Sequence, residues 1–153
     1  KKGKSVGYNT DAHGFQKALI EKLNEIPKYA LILGTGGASQ AVSYSLQKMG
    51  IQFKVVSRNT GKNFINYNDI NKDIIETYRL IINTTPLGTY PKINDIPPLP
   101  YHLINKSNIL YDLIYNPKET LFLKNGKDRG CITINGYKML VYQAEKSWQI
   151  WNK

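Results

Sequence analysis

Tyr29-Ala30-Leu31-Ile32-Leu33-Gly34-Thr35-Gly36-Gly37-Ala38-Ser39 is the stretch that decides the fold. An apolar run of strand length ends abruptly in glycines. From Ala38 to Met49 the sequence then reads as a helix closed by Gly50. The connection fits G-x-G-x-x-small. Gly34 makes the tight turn and Gly36 permits close backbone approach. Ser39 stands where a third glycine is often found, and its small side chain lets helix and strand pack closely. A helix N-terminus at this point offers free N–H groups and partial positive charge to a pyrophosphate. A plain strand-to-helix turn can need the same glycines, so the motif takes its meaning from the strand before it and the helix after it.

On the N-terminal side, Asn9-Thr10-Asp11 is a cluster of capping residues. Phe15, Leu19, Ile20 and Leu23 follow at helical spacing, predicting a helix that stops near Pro27. On the C-terminal side, Phe53 to Ser57 is β-branched and strand-like, and a polar, asparagine-rich stretch follows. Leu80 to Asn83 and Ile109 to Ile114 are further strand candidates. Between them Pro91 to Pro100 must be loop. Glu119 to Lys127 predicts a helix ending at Gly126, Cys131 to Ile134 a short strand, and Gly136 to Trp151 a long final helix. Strands alternating with helices imply an α/β, Rossmann-like, doubly wound fold with a mainly parallel sheet and helices on both faces. Residues 1–153 form one domain on this reading, as the length also suggests. Ligands of such sheets bind beyond the carboxyl ends of the strands.

The end of the second strand distinguishes the two common dinucleotides. An NAD site usually places Asp or Glu there, about 20 residues beyond the first glycine, to bond the ribose 2′-hydroxyl. Here the residues are Ser57-Arg58-Asn59-Thr60, with no acid. Arg58 can offer a planar donor fork to a 2′-phosphate and stack on adenine, and Lys62 adds charge. NADP is therefore favoured over NAD, the alternative being that Arg58 is only a surface residue in a turn.

Composition narrows the class. The chain carries 21 basic and 11 acidic residues, a net charge of +10. The lysines are spread along its length, with one local cluster at Lys1, Lys2 and Lys4. The pattern therefore reads as a solvated basic surface, and neither a nucleic-acid partner nor a membrane is expected. The single Cys131 cannot form an internal disulfide. That fits a reducing, cytoplasmic setting, and the residue reads as a small buried hydrophobe. His13 reads as an exposed first-turn histidine. With no partners at metal-ligand spacing, no metal is expected. No G-x-S-x-G elbow is present. Asp11 at a helix start is structurally ordinary, because both it and Thr10 can serve that end.

Four segments together resemble the shikimate dehydrogenase family. They are Gly7-Tyr8-Asn9-Thr10-Asp11 with Gly14-Phe15, the loop from Gly34 to Ser39, and Asn83-Thr84-Thr85-Pro86-Leu87-Gly88. The fourth is the pair Tyr111 to Pro117 and Gly136-Tyr137-Lys138-Met139-Leu140 with Gln143-Ala144. The resemblance implies NADPH-dependent reduction of 3-dehydroshikimate to shikimate in aromatic (chorismate) biosynthesis. It implies that Asp11 is catalytic, paired across the substrate hydroxyl with a lysine for which this sequence offers no match. Asn9, Asp11, Tyr115 and Gln143 would meet the substrate. Gly34, Thr35, Gly36, Gly37, Ala38 and Ser39 would cradle the cofactor, with Ser57, Arg58, Asn59 and Lys62 at its adenosine end. Asn83, Thr84 and Pro86 would run along it. Leu113 and Gly136 would meet the nicotinamide through backbone and Met139 through its side chain, while Asp112 would hold the strand-end loop.

Ser57 stands where the family often has Asn, and Thr89 where it commonly has Met. The family also has an N-terminal substrate domain, so the chain is expected to be an incomplete, inactive portion. Its last helix, about 136–152, would pack toward that domain, and a homodimer is conceivable. Two alternatives stay open: an NAD(P)-dependent quinate/shikimate dehydrogenase relative, and a non-catalytic nucleotide-binding module.

Overall fold

The computed structural model describes residues 9–59 and 64–152. Strands β1 (Tyr29–Leu33), β2 (Gln52–Ser57), β3 (Phe64–Asn66), β4 (Leu80–Asn83), β5 (Ile109–Asp112) and β6 (Ile132–Ile134) form one sheet. Its order is β3-β2-β1-β4-β5-β6, with every pairing parallel. This is the doubly wound order, and its reversal point falls between β1 and β4. The helices are α1 (Thr10–Lys22), α2 (Gly37–Lys48), α3 (Lys72–Thr77), α4 (Leu121–Lys127) and α5 (Tyr137–Trp151).

Because side chains alternate along a strand, a continuous apolar run needs cover on both faces. Ala30 and Ile32 of β1 pack with Phe15 and Leu19 of α1 and with Val42 and Leu46 of α2. Leu31 and Leu33 face the other way, in a cluster with Ile75 of α3 and Phe122 and Leu123 of α4. Two half-cores on opposite faces thus hold the carboxyl ends of β1, β2, β4 and β5 level with one another.

Helix α5 closes the first face by running against α1. Gly14 allows the approach, since a Cβ there would meet the Met139 carbonyl, and Gln143 lies beside it. Outside this seam, Glu21 accepts a hydrogen bond from Lys138 Nζ at 3.1 Å and another from the Tyr142 hydroxyl. Lys17 Nζ stands 3.9 Å from the centre of the Tyr142 ring. These exposed ties orient the helix but add little net stability in salt. The far end of α5 leaves Trp148 and Trp151 exposed, at 67% and 80%.

Several local expectations are revised. The asparagine-rich stretch contains β3 and α3. Its asparagines cap: Asn66 Oδ1 accepts from Asn68 N–H and Asn71 Oδ1 from Ile74 N–H, each at 3.0 Å. Helix α1 ends at Lys22 because Leu23 is extended and buried in the core. Helix α4 starts after Thr120, whose hydroxyl accepts from Leu123 N–H at 3.3 Å. It runs through Gly126, where a side chain would strike Leu110. Cys131 is half-buried and donates from Sγ to the Asn105 carbonyl at 3.1 Å. His13 is also half-buried. Burial, then Lys146 and Lys17, push its pKa down and favour the neutral ring.

Candidate nucleotide-binding cleft

The turn after β1 is fixed by backbone. Gly34 N–H donates to the Val56 carbonyl at 2.9 Å, tying the turn to β2. Across the reversal point, Thr84 N–H and Thr84 Oγ1 both donate to the Leu33 carbonyl, at 3.0 and 2.6 Å. Gly34 has φ +108, a conformation that favours glycine. A Cβ there would also lie 3.0 Å from both Thr84 Oγ1 and Thr85 Cγ2.

Beyond the turn the chain opens outward. A Cβ built on Gly36 or on Gly37 meets nothing within 4 Å. Gly36 is the N-cap of α2, and no side chain caps that helix. Its first N–H groups therefore face a space able to take an anion.

That space is a cleft of about 490 Å³ at the carboxyl ends of three strands. Gly34, Thr35 and Gly36 form one wall, and Thr84, Thr85, Pro86 and Leu87 form the opposite one. Ser57, Arg58 and Asn59 lie at the β2 end. Ser57 Oγ accepts from Asn59 N–H at 3.1 Å, which turns the chain so that Arg58 is exposed at the rim. Asn66 Nδ2 holds the Arg58 carbonyl at 3.2 Å from the neighbouring β3 end. Among the described lining residues no carboxylate is present, so the rim presents positive charge to a ligand.

Not every expected contact residue lines the cleft with its side chain. Ala38 and Gly37 sit at the exposed start of α2. Ser39 is buried against the sheet, where its small size serves packing. Asn83 is fully buried beneath the wall, so it shapes the loop from below. Lys62, Gly7, Tyr8 and Lys1, Lys2 and Lys4 lie outside the described residues. Leu113 and Met139 pack at the edge of the first core, and Gly136 is buried at the start of α5. Five lining residues were not among the expected contacts: Val56, Tyr67, Thr85, Leu87 and Pro98. Tyr67 follows Phe64-Ile65 in an asparagine-rich stretch, and no local spacing marks it as a lining residue. Its burial pushes its hydroxyl pKa up to about 12, against the opposing pull of Arg58.

The expected substrate residues lie near α1 and α5. Asn9 is the N-cap of α1, accepting from Ala12 N–H at 3.0 Å, and Asp11 is half-buried in the first turn. Gln143 faces Gly14 across the seam. Tyr115 is exposed just after Ile114, whose carbonyl accepts from Gly136 N–H at 3.0 Å. No hydrogen bond links Asp11, Tyr115 and Gln143 to one another among the described residues. Neither does any group of three or more His, Cys, Asp or Glu suited to a metal occur among them. No described helix is long and apolar enough to cross a membrane.

Asp112 is the most strongly perturbed carboxylate. Burial raises its pKa to about 6, outweighing hydrogen bonds from Thr120, Ile114 and Asn83. The folded chain then keeps this proton up to about pH 6, whereas an unfolded aspartate releases it near 4. In that window the native state binds more protons, so stability falls as pH rises and levels off above it. Against Asp112→Asn, the wild type should lose roughly 1–3 kcal/mol more between pH 4 and pH 7 in denaturant titrations. Identical pH slopes for the two proteins would contradict the assignment.

An all-parallel doubly wound sheet with a glycine turn, an uncapped helix start and a cleft at the reversal point defines a Rossmann-type nucleotide-binding domain. No protein-family model matches the chain. A shikimate dehydrogenase (NADP(+)) of Methanococcus maripaludis is 46% identical, covering 97% of this chain and 59% of that protein. A shikimate dehydrogenase crystal structure from Aquifex aeolicus superposes with TM-score 0.84 at 36% identity, over 99% of this chain and 59% of the other. A shikimate dehydrogenase in complex with NADP+ gives TM-score 0.80 at 32% identity, over 99% and 58%. Over its length the chain is thus similar to shikimate dehydrogenases, and it spans less than two thirds of these relatives.

Proposed function

We propose that this chain is the NADP-binding portion of a shikimate dehydrogenase, an enzyme reducing 3-dehydroshikimate to shikimate with NADPH. The carrying observation is the acid-free β2 end, where Arg58 stands exposed at the rim of a cleft that Gly34 and Gly36 keep open. An NAD site would place a carboxylate there to bond the 2′-hydroxyl. The bound nicotinamide supplies the hydride chemistry, and the protein orients it.

In this reading, the Gly36–Ser39 backbone holds the pyrophosphate at the start of α2. Arg58 pairs with the 2′-phosphate, and Lys62 adds charge. Thr84, Pro86 and the turn at Leu113, Gly136 and Met139 direct the ring toward α1. Asp11 holds its partner lysine as proton donor beside the substrate carbonyl, with Asn9, Tyr115 and Gln143 around the substrate. In this reading no lysine among these 153 residues matches that partner, so the 153-residue chain should bind NADPH without turning over. The exposed α5 face around Trp148 and Trp151 is where the substrate-binding portion packs.

Arg58→Ala tests the cofactor assignment. It should weaken NADPH binding roughly 10- to 100-fold, the equivalent of one or two charge-assisted hydrogen bonds, and leave NADH nearly unchanged. Calorimetric titration reads both. A parallel loss for both nucleotides would place Arg58 in the fold rather than at the 2′-phosphate.

A further inference from the structure

Beneath the cleft wall lies a buried network whose members do not line the cleft. Asp112 Oδ1 accepts from Asn83 Nδ2 and from Ile114 N–H, both at 3.1 Å, and Asp112 Oδ2 accepts from Thr120 Oγ1 at 2.6 Å. Asp112 and Asn83 are fully buried, and Thr120 is nearly so. An acceptor-only carboxylate fixes which way the Asn83 amide points. With Nδ2 held by Asp112, Asn83 Oδ1 must face outward. There it accepts from Thr85 N–H at 3.0 Å and from Thr85 Oγ1 at 2.6 Å. Thr85 Oγ1 in turn accepts from Leu87 N–H at 3.3 Å. Thr85 and Leu87 are wall residues of the cleft. The same oxygen, Oδ1, also holds Ile114, whose carbonyl takes the Gly136 N–H.

We infer that Asp112 is a positioning residue for the cofactor cleft, setting the Thr85–Leu87 wall through Asn83 and the turn under Gly136 through Ile114. The inference rests on the NADP reading of that cleft. A buried group that merely supported the fold would lower the melting temperature and leave the affinity of the folded protein alone. A positioning group moves a ligand affinity from a distance, and its amide isostere restores the effect. Asn at 112 can keep one oxygen toward Asn83 and Ile114 and turn its NH2 to Thr120 Oγ1, a hydroxyl able to accept.

The test compares wild type, Asp112→Ala and Asp112→Asn. NADPH titration is read beside hydrogen exchange at the Thr85 and Leu87 amides. Asp112→Ala should weaken NADPH at least tenfold while still melting cooperatively, and should speed exchange at both amides. Asp112→Asn should return both readouts to within about threefold of wild type. A lower melting temperature with affinity and both amides within twofold of wild type overturns the proposal. Should Asp112→Ala not fold, Asn83→Ala is read the same way. It cuts the wall from the carboxylate and spares the Ile114 and Thr120 bonds. If wild type does not bind NADPH, the cofactor reading has failed, and the exchange rates alone decide the positioning role.

Discussion

Gly136→Ala is expected to destabilise the chain by about 3 kcal/mol or more, a fall of roughly 6–12 °C in melting temperature at this size. A Cβ at this position would run into the Leu113 carbonyl, with the Leu113 and Ile114 carbonyl carbons close behind. These are backbone atoms with no rotamer to escape into, so the β5 turn or the whole start of α5 must shift. Gly136 itself has φ −73 and ψ −6, which alanine adopts freely. The effect is therefore steric and not conformational, unlike Gly34, where φ +108 would add strain. The moved turn carries Leu113, so NADPH affinity should fall alongside stability. A melting temperature within 2 °C of wild type would show that the contact relaxes easily and that the seam is looser than described.

Asp11→Asn should reduce turnover roughly 100- to 10,000-fold, the range for loss of an acid–base partner. It is measured in a chimera joining this chain to the portion of the Methanococcus maripaludis relative that it does not cover. The substitution keeps a first-turn polar residue on α1, and Asn9, not Asp11, is the cap, so stability should barely change. NADPH affinity should also hold, since Asp11 is absent from the cleft lining. Loss of kcat with unchanged cofactor binding separates chemistry from assembly. Unaltered kcat would return Asp11 to an ordinary helix-start residue.

Much of this was legible because the signals were local. β1, β4 and β5 are unbroken apolar runs, and the glycines of the first turn announce the helix after them. β3 and α3 were not legible. Phe64–Asn66 is a three-residue edge strand with no fully buried side chain, and Lys72–Thr77 is too short for a helical period to show. The limits of β5 and α4 were blurred by Asp112 and Thr120. Their side chains capture nearby backbone N–H groups and end regular structure early. In the site, Arg58 and the glycines could be found by spacing along the chain. Tyr67 and Pro98 could not, because they reach the cleft from segments whose paths depend on the whole sheet. Asn83 is expected along the cofactor but lies buried beneath the wall, and its orientation is set by Asp112, a partner 29 residues away that spacing does not reveal.

The most direct measurement is a calorimetric titration of the wild-type chain with NADPH and with NADH at one salt concentration. NADPH binding at least tenfold tighter than NADH is the predicted result. It would mean that the glycine turn and Arg58 act together as a 2′-phosphate-reading site. Equal affinity for the two, or no binding of either, would contradict the NADP assignment.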